Sequence, residues 1–193
     1  MITHIRGKLV EKNPTYAIVE CNGIGYFLHI SLNTYSKIPD VEAIKFYTYL
    51  SIKEDAHTLF GFVDKVEREV FKLLISVSGV GTSIARTMLS SMTPEQIQHA
   101  IASEDVATIQ SAKGIGAKTA QRLIIDLRDK IVKTYQFSED SNQSNNTIKE
   151  EALSALEVLG FSRRQVEKLV QKITQEAPDT TLENIIKQAL KNL

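Results

Sequence analysis

Ser76-Val77-Ser78-Gly79-Val80-Gly81-Thr82-Ser83-Ile84-Ala85 recurs 35 residues later as Ser111-Ala112-Lys113-Gly114-Ile115-Gly116-Ala117-Lys118-Thr119-Ala120. Each copy follows an apolar helical pattern and opens into another. A tight glycine turn at that place leaves the first N–H groups of the second helix without intrahelical partners. Those donors lie at the positive end of the helix dipole and make a small site suited to a phosphate. One such turn is commonplace. Two in one compact unit, matching also at neighbouring apolar and alanine positions, point to a grip on a nucleic-acid backbone.

Spacing separates this pair from other phosphate loops. A dinucleotide-binding turn needs G-x-G-x-x-G after a strand. Here the third glycine is replaced by Ile84 and Thr119, and helical patterns precede both turns. A P-loop needs Gly immediately before Lys-Ser/Thr, and Ala117 intervenes between Gly116 and Lys118. A kinase glycine loop lacks the same third glycine. The pair therefore reads as two helix-hairpin-helix elements. Gly79, Val80, Gly81, Thr82 and Ser83 form the first candidate contact. Gly114, Ile115, Gly116, Ala117, Lys118, Thr119 and Arg122 form the second. Lys118 and Arg122, four apart, share a helix face beside the second turn. Their counterparts Ser83 and Thr87 are neutral, and Arg86 is the nearest cation to the first turn.

Around these turns, residues 64–133 read as five short helices forming a tandem helix-hairpin-helix domain. Asp64 and Glu67 are spaced as a capping box, followed by a core stripe of Val66, Val70, Phe71, Leu74 and Ile75. Thr93-Pro94-Glu95-Gln96 starts a helix with proline at its first position, Ser103-Glu104-Asp105 starts a shorter one, and the last runs over residues 117–133.

Residues 1–63 read as strands instead. The β-rich run Ile2–Val10, alternation over Tyr16–Cys21, the Asn22-Gly23 hairpin signal, Gly25–Ile30, Ile44–Ile52 and Thr58–Phe62 give five short strands with one brief connection over Ser31–Lys37. That pattern predicts an OB-like barrel. Between the last two strands stand Glu54 and Asp55. Acids at a hairpin tip are ordinarily a solvated turn. On a molecule that holds DNA they would repel phosphates and act as a wedge.

Residues 134–146 are polar, without apolar periodicity, and read as a flexible linker. Capping-box spacings at Thr147/Glu150, Ser162/Gln165 and Thr180/Glu183 then predict a three-helix bundle over 147–193, UBA-like in size and pattern. Leu159-Gly160-Phe161 is a helix stop with a hydrophobic turn, suited to packing or to docking a partner protein. The fold class is thus multidomain α+β: barrel, all-α hairpin domain, linker and helical tail.

Bulk properties narrow the function. The 193 residues carry 23 Lys+Arg and 23 Asp+Glu, a net charge of zero. Lys+Arg against Asp+Glu is 6 and 6 over residues 1–62, 10 and 8 over 63–133, and 7 and 9 over 134–193. DNA binding would rest on local geometry and backbone donors more than on a charge field. The single Cys21 rules out a disulfide framework and favours a reducing compartment. No apolar run reaches the length of a membrane span, and the N-terminus does not read as a signal peptide. No metal-ligating, nucleophile-elbow or nucleotide-hydrolysing pattern is present.

Barrel, acidic hairpin, twin glycine turns and helical tail, in that order, resemble the RuvA family of Holliday-junction-binding subunits. The marks are Met1-Ile2 with Arg6-Gly7, Gly23-Ile24-Gly25-Tyr26, Glu54-Asp55-Ala56, Leu59-Phe60-Gly61-Phe62, Gly79-Val80-Gly81 and Gly114–Leu123. The resemblance implies a homotetramer or octamer that holds a four-way junction open, grips the arms through its glycine hairpins, and sets Glu54 and Asp55 as an acidic pin at the crossover. It implies a tail that docks a RuvB-like hexameric ATPase, with Leu153, Leu156, Leu159, Phe161 and Leu190 as expected contacts, and association with a RuvC-like resolvase. ATP would be used by the motor, so this chain needs no cofactor and no metal. The expected setting is the bacterial cytoplasm, at the nucleoid when bound to DNA, with roles in recombination, repair and the SOS response. Two positions depart from the family's common pattern: Thr82-Ser83 stands where Pro-Lys is frequent, and Ala117 where a second lysine is frequent. Both remove positive charge.

Two other classes fit parts of the chain. A nuclease or glycosylase using the hairpins only for grip would need an acid cluster or a Lys–Asp pair in a pocket, and neither is legible. A protein-interaction adaptor would use the glycine turns for structure alone.

Overall fold

A computed structural model describes residues 1–139, 144–177 and 180–192. The chain divides into two compact units, residues 1–133 and 134–193.

The first unit begins with β1 (His4–Asn13), β2 (Tyr16–Cys21) and β3 (Ile24–His29), then α1 (Leu32–Lys37), β4 (Ala43–Ile52) and β5 (His57–Phe62). The five strands close in the order β1-β2-β3-β5-β4, with β4 returning to β1. This is the OB-like barrel expected. Alternation sends Ala17, Val19 and Leu28 inward with Ile5, Ile44 and Phe46, all nearly free of solvent. Asn22 and Gly23 take positive φ at the β2–β3 turn, as an Asn-Gly hairpin requires.

The hairpin domain follows: α2 (Lys65–Ile75), α3 (Thr82–Ser91), α4 (Pro94–Ala102), α5 (Val106–Gln110) and α6 (Ala117–Glu139). Thr93 and Gln96 form a reciprocal capping box with Pro94 at the first helical position. Asp105 caps α5 by accepting from the Thr108 N–H at 3.0 Å. The expected capping box at α2 is half realised. Asp64 accepts from the Val66 N–H at 2.9 Å. Glu67 instead turns inward and is fully buried, while Val66 is 45% exposed. The inward stripe therefore runs Glu67, Val70, Phe71, Leu74, one step round from the sequence reading.

The barrel keeps an interior of its own, and the core of the hairpin domain takes in the end of β5. Phe60 and Phe62 of β5 lie 5.1 and 5.0 Å, ring to ring, from Phe71 of α2, and Tyr49 of β4 lies 5.5 Å from it. Arg68 adds a polar tie, donating to the Thr3 carbonyl at 3.0 Å. Residues 1–63 and 64–133 are thus two patterns in one folded body.

Helix α6 continues to Glu139 and α7 (Ser144–Val158) starts before Thr147. Helix therefore covers much of the stretch read as linker, with no glycine or proline there to stop it. Residues 140–143 lie outside the described residues, as do the side chains of Thr147 and Glu150. In the second unit α7, α8 (Arg163–Glu176) and α9 (Leu182–Asn192) pack as a three-helix bundle. Its interior holds Ala152, Leu153, Leu156, Val166, Val170 and Ile185. Gln165 Oε1 accepts from both the N–H and the hydroxyl of Ser162. At α9 the capping hydroxyl is that of Thr181, which accepts from the Asn184 N–H at 3.4 Å, and not that of Thr180.

Candidate nucleic-acid interface

The two glycine turns are the same structure twice. Gly79 has φ +94° and Gly114 φ +95°, the left-handed region that side chains rarely adopt. The N–H of Val80 bonds to the Val77 carbonyl at 3.0 Å, and that of Ile115 to Ala112 at 3.2 Å. The N–H of Ala85 bonds to Gly81 at 3.0 Å, and that of Ala120 to Gly116 at 2.9 Å. Every pair is offset by 35 residues. Val80 and Ile115, counted among the contact candidates, are buried and anchor each turn in the core. Their side chains support the loop from inside.

The copies also face each other. A side chain at Gly79 would meet Thr119 of the second copy, and one at Gly114 would meet Ile84 of the first. Ile84 and Thr119 are themselves equivalent positions. Contacts exchanged in this way place the turns about a local twofold relation.

The outward surface is open. Gly81, Ser83, Gly116, Ala117 and Lys118 are exposed, and Thr82 and Thr119 are partly so. A side chain at Gly81 or Gly116 would meet nothing within 4 Å. Among the described residues no protein acceptor takes the N–H groups of Thr82, Ser83, Ala117 or Lys118. They remain donors for an anion at each helix start.

The copies differ in charge. Lys118 and Arg122 are exposed beside the second turn, with Arg122 Nε 3.7 Å from Asp126 of the same helix. Beside the first turn, Arg86 points away from the loop. Its guanidinium lies 3.1 Å from His29 Nδ1 and donates to the Thr15 carbonyl at 3.5 Å, both on the barrel. Burial and the Arg86 charge hold the His29 pKa below its usual value. The neutral ring leaves Nδ1 free to accept.

Glu54 and Asp55 stand exposed at the β4–β5 tip, which the Lys53 N–H closes on the Ala56 carbonyl at 2.9 Å. The register pairs Ile52 with His57 below the tip. Among the described residues no group of three or more His, Cys, Asp or Glu could hold a metal ion.

Family models match three stretches: the RuvA N-terminal domain over residues 1–61, a SAM-like tandem helix-hairpin-helix over 71–129, and the RuvA C-terminal domain over 147–193. The chain is 63% identical to a Christiangramia forsetii protein and 61% to one of Flavobacterium psychrophilum, over the whole of both chains in each case. A Cytophaga hutchinsonii protein is 50% identical over 99% of each chain. All three are named as the RuvA subunit of a Holliday junction branch migration complex. The chain belongs to the RuvA family.

Within that family frame the tail residues divide. Leu153 and Leu156 are fully buried in the bundle, so an intact tail cannot offer them to a partner. Leu159 is 57% exposed and Leu190 44%, with Val158, which the sequence reading left out, at 87%. Phe161 is half-buried against the bundle core. Val158 and Leu159 make an exposed apolar pair where α7 ends. No helix among the described residues is long and apolar enough to cross a membrane.

Proposed function

We propose that this chain is the non-catalytic, DNA-binding subunit of a branch migration complex, and that it binds four-way junctions through the twin hairpins. The carrying observation is the duplication: two helix starts of one geometry, each with unpartnered N–H groups, in one compact unit. Phosphates on a duplex arm are the ligands that such sites fit, and they carry no sequence information. A structure-specific protein needs that indifference.

Discrimination of a junction from plain duplex then falls to the acidic tip. Glu54 and Asp55 sit on the same folded body as the hairpins. One body offers two phosphate sites, while a junction has four arms. This supports assembly as a tetramer or octamer, with several acidic tips gathered at the crossover. Like charges there oppose strands that would re-pair wrongly. The exposed Val158, Leu159 and Leu190 are the surface we assign to a RuvB-like ATPase, which supplies the ATP-driven motor. A RuvC-like resolvase is a further partner of the assembled junction. With DNA as its target, we assign the protein to the bacterial cytoplasm, at the nucleoid when bound.

A gel shift tests this directly, using a four-way junction and a linear duplex of the same sequences, with and without magnesium. The expected result is junction preference without cleavage. No shift would return the chain to the adaptor reading, and magnesium-dependent cleavage to the nuclease reading.

A further inference from the structure

Among the described residues the buried polar or charged side chains are Ser31, Thr34, Thr48 and Glu67. Three of these meet. Thr34 Oγ1 donates to Glu67 Oε2 at 2.7 Å, and Ser31 Oγ donates to Glu67 Oε1. Ser31 Oγ also accepts from the Thr34 N–H at 2.9 Å, so the N-cap of α1 and the carboxylate of α2 are one cluster. The next residue continues the seam: the Leu32 N–H donates to Ser90 Oγ of α3 at 3.1 Å, and Ser90 Oγ donates to the Arg86 carbonyl at 2.8 Å. Two residues before Ser31, His29 meets the Arg86 guanidinium. The stretch from His29 to Thr34 is thereby fastened to α2 and α3, the helices that enter and leave the first glycine turn.

A carboxylate is a costly way to fill this space. Burial disfavours its charge, and the nearest cation, Lys37, is exposed and 3.8 Å from Asp64. An apolar pair of similar volume is often as stable. Hydrogen bonds differ from apolar contacts in fixing direction as well as distance. What they fix here is the first hairpin relative to the barrel, whose β4–β5 tip carries Glu54 and Asp55.

We propose that Glu67 is a positioning residue for junction recognition. By holding α1 against α2 it sets the glycine hairpins and the acidic tip at one separation, so that arms and crossover are engaged together. This rests on the junction-binding reading above and adds a residue to it. Contact with plain duplex uses the hairpins alone and does not depend on that separation.

The test compares the full-length wild type with a Glu67→Leu/Thr34→Val double variant and with Glu67→Gln. The Glu67–Thr34 pair is replaced by apolar groups, but the buried Ser31 hydroxyl loses its acceptor, so thermal melting should fall below wild type while the fold is kept. Competition binding should show the junction-over-duplex preference of the double variant falling by about tenfold, the scale of one lost directional hydrogen bond in a buried site. Duplex affinity should be unchanged. Fluorescence transfer between dyes on opposite arms should report a less open junction. Glu67→Gln keeps an acceptor for one hydroxyl and should restore most of the preference. A folded double variant with wild-type preference and arm distances would overturn the proposal, as would equal loss of junction and duplex binding. If circular dichroism shows the double variant unfolded, Thr34→Val alone decides in the same way, with a smaller expected loss. A wild type without junction preference would instead remove the function on which the proposal rests, and the variants would not be needed to see it.

Discussion

The two glycine hairpins share a backbone and differ in what is attached to it. Their turns agree within a degree in φ at the first glycine and carry the same hydrogen bonds. Yet the second copy presents Lys118 and Arg122 to solvent, while the first turns Arg86 back to the barrel and presents Ser83. Both copies have the geometry; one has exposed cations beside it. On the proposed reading the second hairpin would attract phosphate over distance, and the first, held in place against the barrel, would offer backbone donors at close range. A net charge of zero is compatible with DNA binding on these terms, since directed N–H groups add nothing to formal charge.

The sharpest way to break this comparison is to remove the charged copy's cations. Lys118→Ala/Arg122→Ala should cost about a hundredfold in junction affinity at roughly 0.1 M salt. The slope of log affinity against log salt should flatten by about one for each cation lost. Arg86→Ala should leave that slope unchanged and lower the melting temperature instead. A flatter slope for Arg86→Ala would mean that the first copy also contacts phosphate through its arginine.

Backbone equivalence is tested by Gly79→Ala and Gly114→Ala. Neither site lacks room, since the nearest atoms to an added Cβ are 3.9 and 3.7 Å away. The positive φ is the obstacle, and each change should cost about 1–2 kcal/mol in urea unfolding. The two costs should agree. Gly81→Ala and Gly116→Ala, in open space, should leave stability alone and act only on DNA binding.

Restoring charge to the neutral copy sharpens the picture further. Ser83→Lys should steepen the salt slope by about one and tighten junction binding several-fold at low salt. An unchanged slope would show that the first hairpin lies off the DNA backbone. More basic relatives should show steeper slopes than the wild type for the same reason.

The smallest effect concerns Glu67. Burial raises its pKa, and the Ser31 and Thr34 hydroxyls, the Asn33 side chain and the Lys37 charge oppose that rise without cancelling it. The folded state therefore binds this proton more tightly than the unfolded chain. Stability from this group is present at acid pH and is lost as pH rises from the ordinary glutamate range through the raised folded value. Glu67→Gln should flatten stability against pH in that window. His29 runs the other way: its lowered pKa makes the fold lose stability as pH falls. A variant with an unaltered pH profile would show that Glu67 is not the titrating group.

Much of this was legible in the sequence because it is local. Gly-x-Gly before a helix, Asn22-Gly23 between alternating runs, and Thr93-Pro94 ahead of an apolar stripe are each decided by neighbours in the chain. The barrel, the twin turns and the acidic tip followed. What was not legible depends on partners far apart in sequence. Glu67 has the spacing of a capping residue and becomes a buried clamp only because Ser31 and Thr34 arrive from the barrel. Arg86 reads as a surface cation until His29 is brought beside it. The shared core of Phe60, Phe62 and Phe71 joins two stretches whose periodicities differ and therefore read as separate domains. In the tail, Leu153 and Leu190 carry the same hydrophobic letter, and only packing sorts the buried one from the exposed one.

The reciprocal facing of Gly79 with Thr119 and of Gly114 with Ile84 has a consequence for motion. A double helix possesses a dyad at every base pair, relating its two antiparallel strands. Two hairpins exchanged by a local twofold can each take one strand about such a dyad. Because the dyads repeat at each step, no step is preferred over the next. A clamp of that kind holds DNA firmly across its width and leaves it free along its length, so that a duplex can be drawn through by another machine while never being let go.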